Sequence, residues 1–246
     1  MTTNVFDVKA AIIASDSRWS FTLKDGAALR AVVYADDTGF DKMVFGEGVC
    51  ALFAGRSNLI SLWKDWIRSN NKVVLRRPIT EENFSMCVVS ATDGKLIFEH
   101  GQKITDDHYR FAGTGAKPAH TCWLTNKDAI RAVQSAALND HYSGGEVKYF
   151  KVNTQDHNIS STGQYSAINE AIFKRGIVMY PTYEGKKVSI QDAASKDPQI
   201  GELMKKIASG DAVAEAPSGH DPVIWTETDI KRLDNSLEAF FGPIAK

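Results

Sequence analysis

Cysteine is scarce in this chain of 246 residues, which has only Cys50, Cys87 and Cys122. Three widely separated cysteines exclude a regular disulfide framework, and their spacing matches no zinc-binding pattern. Free thiols are typical of proteins from a reducing compartment. We therefore expect this protein to work in the cytoplasm.

Long hydrophobic runs and an excess of charge of one sign are also missing. No stretch approaches the roughly 18 apolar residues of a membrane span. The 29 basic and 30 acidic residues give a formal net charge of −1, which argues against nucleic acid or an anionic membrane as the main partner. The first residues lack the basic region and apolar core of a signal peptide. The composition that remains, 43% apolar and 24% charged, is that of an ordinary globular protein.

Apolar periodicity predicts one clear helix in the first third of the chain. Five large apolar residues lie at helical spacing between residues 58 and 69 and would form a single stripe: Leu59, Leu62, Trp63, Trp66 and Ile67. Before this helix, β-forming residues predict strands near residues 4–8 and 10–15, and a further pair in LRAVVYADD and KMVFGEGVCALFAG. After it, the Asp-Gly pair in SMCVVSATDGKLIFEHG predicts a hairpin, and YRFAGTG predicts another short strand.

The second half of the chain predicts more helices. One runs from about residue 127 to 138, where Thr125 and Asp128 have the spacing of a capping box, and a strand in EVKYFKV follows it. VAEAPSGHDP is typical of an exposed linker, while DPQIGELMKKIASG and TETDIKRLDNSLEAFFGP predict amphipathic helices. Helices between groups of antiparallel strands favour a layered α+β domain. We expect a core in residues 1–155 and a C-terminal extension in residues 156–246 that completes a sheet edge and adds helices.

Three residues in the first part of the chain are candidates for chemistry. Thr2 follows a methionine that can be removed before so small a residue, and a terminal Thr carries its own base, since an α-amino group has a reference pKa near ~8. Asp16 follows an apolar strand in IIASDSR, and Lys42 begins a strand that leads to Gly55. Each also fits an ordinary role as a second residue, a strand-end turn or a solvated surface lysine.

Two glycine-containing turns, FAGTG and DHYSGG, supply further candidates. They place Thr114, Asp140 and Ser143 beside glycines. Glycine commonly ends a helix in a left-handed turn, and Asp and Ser are ordinary loop residues. The residues of the second turn are therefore equally consistent with an ordinary helix end and with a functional site.

The order of these features resembles the proteasome β-subunit family, which includes the bacterial HslV protease and the Anbu-type relatives. In that family a terminal Thr begins the first strand, an Asp ends the second, and a Lys begins a strand that runs into a Gly-containing turn before the first long helix. A G-S-G-like turn and an Asp-x-x-Ser-Gly motif follow. The matching stretches here are Thr2-Thr3, ASDSR, DKMVF to LFAG, GTG and DHYSGG, which span about residues 2–152.

The resemblance implies a four-layer αββα sandwich of two antiparallel sheets and a threonine-type peptidase of the N-terminal-nucleophile class. Thr2 would attack a peptide carbonyl while its amino group shuttles the proton. Lys42, as a cation, would keep that amine neutral, and Asp16 would orient Lys42. No metal or other cofactor is implied.

The resemblance also implies a supporting shell around Thr2. The residues of its turns are Asp140, Ser143, Thr114, Gly115 and Gly144. A backbone N–H at Leu52 or Gly55 would bind the oxyanion. Two departures from the family are that Leu52 falls where a glycine is usual and that Thr114 replaces a serine.

The implied partners are peptide or unfolded-protein substrates and further copies of the chain, arranged in a ring or spiral. The apolar stripes of the first and last helices would provide the contacts between copies, and an ATPase partner is left open. No nucleic-acid or membrane partner is expected. Two other functions stay open, because a fold does not determine an activity: a non-catalytic scaffold or interaction protein, and an amidase acting on small molecules.

Overall fold

A computed structural model describes residues 2–160, 163–181, 186–219 and 221–245. The strands in this part of the chain are β1 (Asn4–Asp7), β2 (Ile12–Ser15), β3 (Trp19–Asp25), β4 (Ala28–Ala35), β5 (Met43–Gly46), β6 (Val49–Arg56), β7 (Ser85–Ser90), β8 (Leu96–His100), β9 (Ile104–Asp106), β10 (Tyr109–Ala112), β11 (Lys148–Lys151), β12 (Asp156–His157), β13 (Ile177–Tyr180), β14 (Lys186–Ser189) and β15 (Glu215–Ala216). The helices are α1 (Ser57–Arg68), α2 (Ala116–Asn126), α3 (Ala129–Asn139), α4 (Ser166–Arg175), α5 (Ile190–Ala194), α6 (Pro198–Ser209) and α7 (Glu227–Phe241).

The strands form two sheets, and their pairings are antiparallel. The first sheet has the order β12-β11-β2-β1-β10-β9. The second has the order β14-β13-β4-β3-β15-β6-β7-β8, with β5 also paired to β6. The two-residue strand β15 joins the two halves of the second sheet, because it pairs with β3 on one side and β6 on the other.

Alternating side chains stack these sheets into layers. In β1, Val5 faces α2 and α3, where it packs with Ala132, whereas its neighbour Phe6 faces the second sheet and packs with Leu52. The opposite face of the second sheet is covered by α1, α4, α6 and α7, in a cluster that includes Trp63. The predicted αββα sandwich is therefore confirmed.

The C-terminal part of the chain completes the second sheet. Strands β13 and β14 extend it beyond β4. Ile168 of α4, Ile200 of α6 and Leu237 of α7 pack in the same apolar cluster as Trp19 of β3. The boundary at residue 155 stays a prediction, since one cluster contains side chains from both sides of it.

The sequence pattern misses several elements and misplaces one helix cap. Among the elements that it does not predict are β3 and α2. Helix α2 lacks a regular apolar stripe and carries Pro118 in its first turn, where the missing N–H has no intrahelical acceptor in any case. The capping box is wrong: Thr125 lies inside α2, and Asp128 caps α3 by accepting from the N–H groups of Ile130 at 2.9 Å and Arg131 at 3.0 Å.

The predicted exposed linker VAEAPSGHDP is also wrong. Ala214, Ala216 and Ser218 are buried, at 1%, 0% and 1% exposure, whereas Glu215 between them is exposed. Burial of every second residue is the period of a strand. The described part of this segment is therefore packed against the rest of the protein and is not an exposed linker.

The apolar stripes of the first and last helices are not open faces. They lie in the chain's own core, where the buried side chains are Leu59, Trp63, Trp66, Ile67, Leu233 and Leu237. Of the large apolar residues in these two helices, Leu62 and Phe240 are exposed. The prediction that the stripes themselves contact other copies is wrong.

The three cysteines are free, with Cys50 and Cys87 buried. Among the described residues, no helix is both long and apolar enough to cross a membrane. Within the same ranges, no group of three or more His, Cys, Asp or Glu side chains is placed to hold a metal ion.

Lys64 on α1 is buried at 2% exposure, and this position makes stability depend on pH. Its Nζ donates to the Asp41 carbonyl oxygen at 2.8 Å and lies 3.8 Å from the centre of the Phe40 ring. Burial lowers the pKa of Lys64 to about 7, with Asp41 partly opposing the fall. Since the unfolded chain binds this proton up to a higher pH, the free energy of unfolding should rise between pH 7 and 9.5, by at most about 1.4 kcal/mol per unit.

The measurement for Lys64 is chemical denaturation across that pH range for the wild type and for Lys64→Met. The wild-type minus variant difference isolates the lysine from other titrating groups. We expect the difference in unfolding free energy to grow with pH. A flat difference would show that Lys64 stays protonated, held by the Asp41 carbonyl and the Phe40 ring.

Candidate active site

Thr2, Asp16 and Lys42 form one buried hydrogen-bonded group. The Thr2 hydroxyl donates to Asp16 Oδ1 at 2.5 Å, and Lys42 Nζ donates to Thr2 Oγ1 at 2.7 Å and to Asp16 Oδ1 at 2.8 Å. All three residues are at most 1% exposed. The structure thus brings together the three residues that the sequence placed at the ends of different strands.

Strand register explains why these residues meet. In the β1–β2 hairpin Asn4 lies opposite Ser15, so the residues that precede β1 lie opposite Asp16, whose N–H donates to the Thr3 carbonyl at 3.2 Å. Lys42 immediately precedes β5, and its own carbonyl accepts from the Phe53 N–H of β6 at 2.9 Å. The group therefore lies where the first strand of one sheet meets a hairpin of the other.

The carboxylate of Asp16 is held by backbone donors as well as by Lys42. Oδ1 accepts from the Thr3 N–H at 2.8 Å, and Oδ2 accepts from the N–H groups of Arg18 at 3.2 Å and Gly144 at 3.1 Å. Buried carboxylates need such partners to offset the loss of hydration. Asp16 is consequently fixed in position and can orient both Lys42 and Thr2.

Burial lowers the pKa of the Lys42 ammonium, and the adjacent Asp16 carboxylate offsets part of that effect. The Thr2 oxygen has a proton acceptor on one side and a cationic donor on the other. Such surroundings suit a hydroxyl that gives up its proton and carries negative charge during a reaction.

Asp140 and Ser143 form a second group beside the first, in which Ser143 contacts Thr3 rather than Thr2. Ser143 Oγ lies 2.7 Å from Thr3 Oγ1 and also donates to Asp140 Oδ2 at 2.7 Å, which accepts from Thr114 Oγ1 at 2.8 Å as well. Asp140 also ends α3, since its N–H donates to the Ala136 carbonyl at 2.8 Å. The turn is therefore both a helix stop and a support for the N-terminal segment.

Two glycines let the turns approach this segment closely. A Cβ on Gly115 would overlap Thr3 Oγ1, and a Cβ on Gly113 would overlap the Thr2 carbonyl. Gly113 also has φ of +88°, which favours glycine. Of the two, the sequence singled out only Gly115.

Sequence reasoning assigned no role to Arg18, which organises the turn. Its guanidinium donates to both oxygens of Asp36, at 2.7 and 2.9 Å, and to the His141 carbonyl at 2.7 Å. A Cβ on Gly144 would overlap this guanidinium. Arg18 thereby fixes the turn whose N–H binds Asp16, and its place two residues after Asp16 was the available signal.

The two predicted oxyanion donors both point at neighbouring strands. Because the Phe53 N–H is directed to Lys42, the alternation along β6 directs the Leu52 N–H to the other side, where Cys87 of β7 lies opposite. Gly55 lies opposite Ala216 of β15. In this conformation neither N–H is open to a substrate, and their role as oxyanion donors stays a prediction.

One cavity, of about 610 Å³, lies around Arg30, Tyr180 and Asp197, and none of the Thr2, Asp16 and Lys42 side chains lines it. Arg30 Nη2 and the Tyr180 hydroxyl both donate to Asp197 Oδ2, at 2.8 and 3.2 Å. We assign this cavity no chemistry.

No family model and no curated protein matches this chain. Among solved structures it is similar to BPH of Thiobacillus denitrificans in complex with epoxomicin, with 12% identity and a TM-score of 0.39 over 60% of this chain and 96% of that one. It is also similar to HslV from Trypanosoma brucei, with 15% identity and a TM-score of 0.35 over 60% of this chain and 97% of that one. The fold class follows from the chain's own two antiparallel sheets and the helices that cover them.

Proposed function

We propose that this chain is an endopeptidase that uses an N-terminal threonine, Thr2, as its nucleophile. The observation that carries the proposal is the hydrogen bonding of Thr2 Oγ1 to both Asp16 and Lys42. An ordinary buried Thr needs one partner for its hydroxyl and has no use for a buried lysine–carboxylate pair, which costs several kcal/mol of desolvation per ion. Retention of that pair beside a chain terminus favours a catalytic role.

The reaction follows from these groups once Met1 is removed. The Thr2 α-amine takes the hydroxyl proton as Oγ1 bonds to the carbonyl carbon of the substrate, which leaves a tetrahedral oxyanion. Collapse of this species breaks the C–N bond, and the departing amine takes the proton from the α-ammonium. Water, deprotonated by the same amine, then hydrolyses the ester and restores Thr2.

Lys42 and Asp16 support these steps in the proposal. The positive charge of Lys42 lowers the pKa of the nearby α-amine, so that the amine is a free base near neutral pH, and it stabilises the developing alkoxide. Asp16 keeps Lys42 directed at Oγ1. The second candidate, a non-catalytic interaction protein, is favoured by one observation, the complete burial of Thr2.

Hydrolysis of casein and of a fluorogenic peptide library, with intact-mass measurement of the same sample, tests the proposal. Cleavage by protein that lacks Met1 is the expected result. Inactivity of protein whose mass shows that Met1 is absent would favour the interaction protein, and cleavage of small amides alone would favour an amidase.

We further propose that the chain self-associates into a ring or spiral. Leu62 of α1 is exposed, and the segment after α1 carries several exposed apolar side chains close together in sequence: Val73, Val74, Leu75 and Ile79. Exposed apolar clusters of this kind are typical of protein contacts. We expect light scattering to report particles several times the 27.1 kDa chain mass. The Val74→Lys variant should dissociate them, and a wild type that is monomeric at all concentrations would contradict the proposal.

A further inference from the structure

One segment of the C-terminal part, residues 214–219, is inserted into the second sheet; we call it the strap. Its strand β15 places Glu215 opposite Ser20 of β3 and Ala216 opposite Gly55 of β6. Strands β3 and β6 have no pairing with each other among the described residues. The strap alone fills the one-strand gap between them, which spans about 9–10 Å from β3 to β6.

The strap accepts a backbone hydrogen bond where β6 ends and α1 begins. The Ser57 N–H donates to the Ala214 carbonyl at 2.9 Å. Gly55 lies opposite Ala216 in the same ladder, and because bonding along an antiparallel ladder repeats every second residue, we infer that the Gly55 N–H donates to the Ala216 carbonyl. The strap carbonyl thus occupies the donor that a substrate oxyanion would need.

The strap also lies close to the catalytic group. Asn4, two residues after Thr2, donates from Nδ2 to the carbonyl of Phe53, two residues before Gly55. At its other end, Gly219 lines the same cavity as Gly113, where an added Cβ would overlap the Thr2 carbonyl. The strap therefore runs from the end of β6 to a cavity that borders the turn against Thr2.

Several features make the strap replaceable. Only two of its residues pair with the sheet, and Pro217 has no N–H to donate. Within the described ranges the buried Ser218 hydroxyl has no hydrogen-bond partner, which destabilises the packed strap. Beyond the strap the chain is anchored again, since the Asn83 N–H donates to the Val223 carbonyl at 2.9 Å.

We propose that the strap is an autoinhibitory segment that occupies the peptide-binding groove and must leave before a substrate can enter. The inference rests on the proposed function and adds its regulation. An extended peptide would replace β15 by pairing antiparallel to β3 and β6. Withdrawal of the strap would free the Gly55 N–H for the oxyanion.

The strap also indicates the substrate class. Ala214 and Ala216 point into the closed apolar layer beneath the sheet, whereas Glu215 between them points outward beside a cavity of about 560 Å³. A peptide in the same place would carry small apolar residues at alternate positions and tolerate a large or charged residue between them. Peptides with bulky side chains at both alternate positions should bind poorly.

A reversible crosslink tests the inference. Directly opposed residues of an antiparallel pair have Cα atoms about 4.5–5.5 Å apart, which suits a disulfide. The Ser20→Cys/Glu215→Cys double variant, in protein that starts at Thr2, should lock the strap when oxidised and release it when reduced. Each single variant under the same oxidant is the matched control, because it keeps the new thiol without the crosslink.

Two readouts distinguish release of the strap from catalysis. The first is binding of a fluorescent peptide with the sequence Ala-Glu-Ala-Pro-Ser, measured by fluorescence polarisation. The second is hydrolysis of a fluorogenic peptide. We expect oxidation to lower both at least about tenfold and reduction to restore them. Equal binding by both forms, or no binding by either, would overturn the inference. Reversible binding without hydrolysis would retain the strap and overturn the proposed peptidase activity.

Discussion

Replacement of Thr2 by alanine is expected to lower peptide hydrolysis by at least about 10³-fold, because it removes the oxygen that attacks the substrate. The Thr2→Ser variant is the matched control. It keeps a hydroxyl for Asp16 and Lys42 and loses only the methyl group that restricts χ1. We expect its rate to stay within about tenfold of the wild type, which corresponds to ~1.4 kcal/mol.

The measurement for Thr2 is initial rates on one fluorogenic peptide, with circular dichroism to compare folding. The alanine variant should remain folded, since Lys42 and Asp16 still pair with each other at 2.8 Å. Hydrolysis by a folded Thr2→Ala protein at the wild-type rate would exclude Thr2 as the nucleophile.

Replacement of Lys42 by methionine is expected to have the second large effect. The variant keeps the length of the side chain but removes the charge that lowers the pKa of the Thr2 amine and stabilises the alkoxide. We expect a loss of about 10³-fold or more near neutral pH, and any remaining activity should increase toward higher pH, where the amine loses its proton. The free energy of unfolding should fall by about 3 kcal/mol, because Asp16 is left buried without its cation.

Lys64→Met is the matched control for Lys42→Met. Both lysines are at most 2% exposed and both bury an ammonium group, but Lys64 bonds to the Asp41 carbonyl rather than to Thr2. The Lys64 variant should keep its peptidase activity. If both variants lost activity equally, the effect of Lys42 would be structural rather than catalytic.

The group of Thr2, Asp16 and Lys42 is predictable from the sequence because each of its members lies at the end of a local element. Thr2 precedes an apolar strand, Asp16 follows one, and Lys42 begins another. The order of these ends resembles a known family, which supplies the long-range arrangement that spacing alone does not. Helices α1, α6 and α7 are predictable for the same reason. The apolar stripe and the terminal residues of each helix lie within one continuous stretch of sequence.

The features that the sequence did not predict depend on contacts between distant residues. Lys64 appears as one polar residue on a helix, and only the fold encloses it against Phe40. The contact of Ser143 with Thr3 instead of Thr2 depends on how a helix end meets the start of β1. The strap resembles a linker because it is short and rich in Ala and Pro, and its partners lie about 160 and 195 residues away along the chain.

The state of the α-amine tests the central claim most directly. Protein that starts at Thr2, released from a cleavable N-terminal fusion, is compared with protein that carries a non-removable residue before Thr2, on the same peptide and at the same pH. The two forms share every side chain from Thr2 onward, but in the second the amine is an amide and cannot accept a proton. We predict hydrolysis by the first form and none by the second. Equal rates for the two would contradict an N-terminal-nucleophile mechanism.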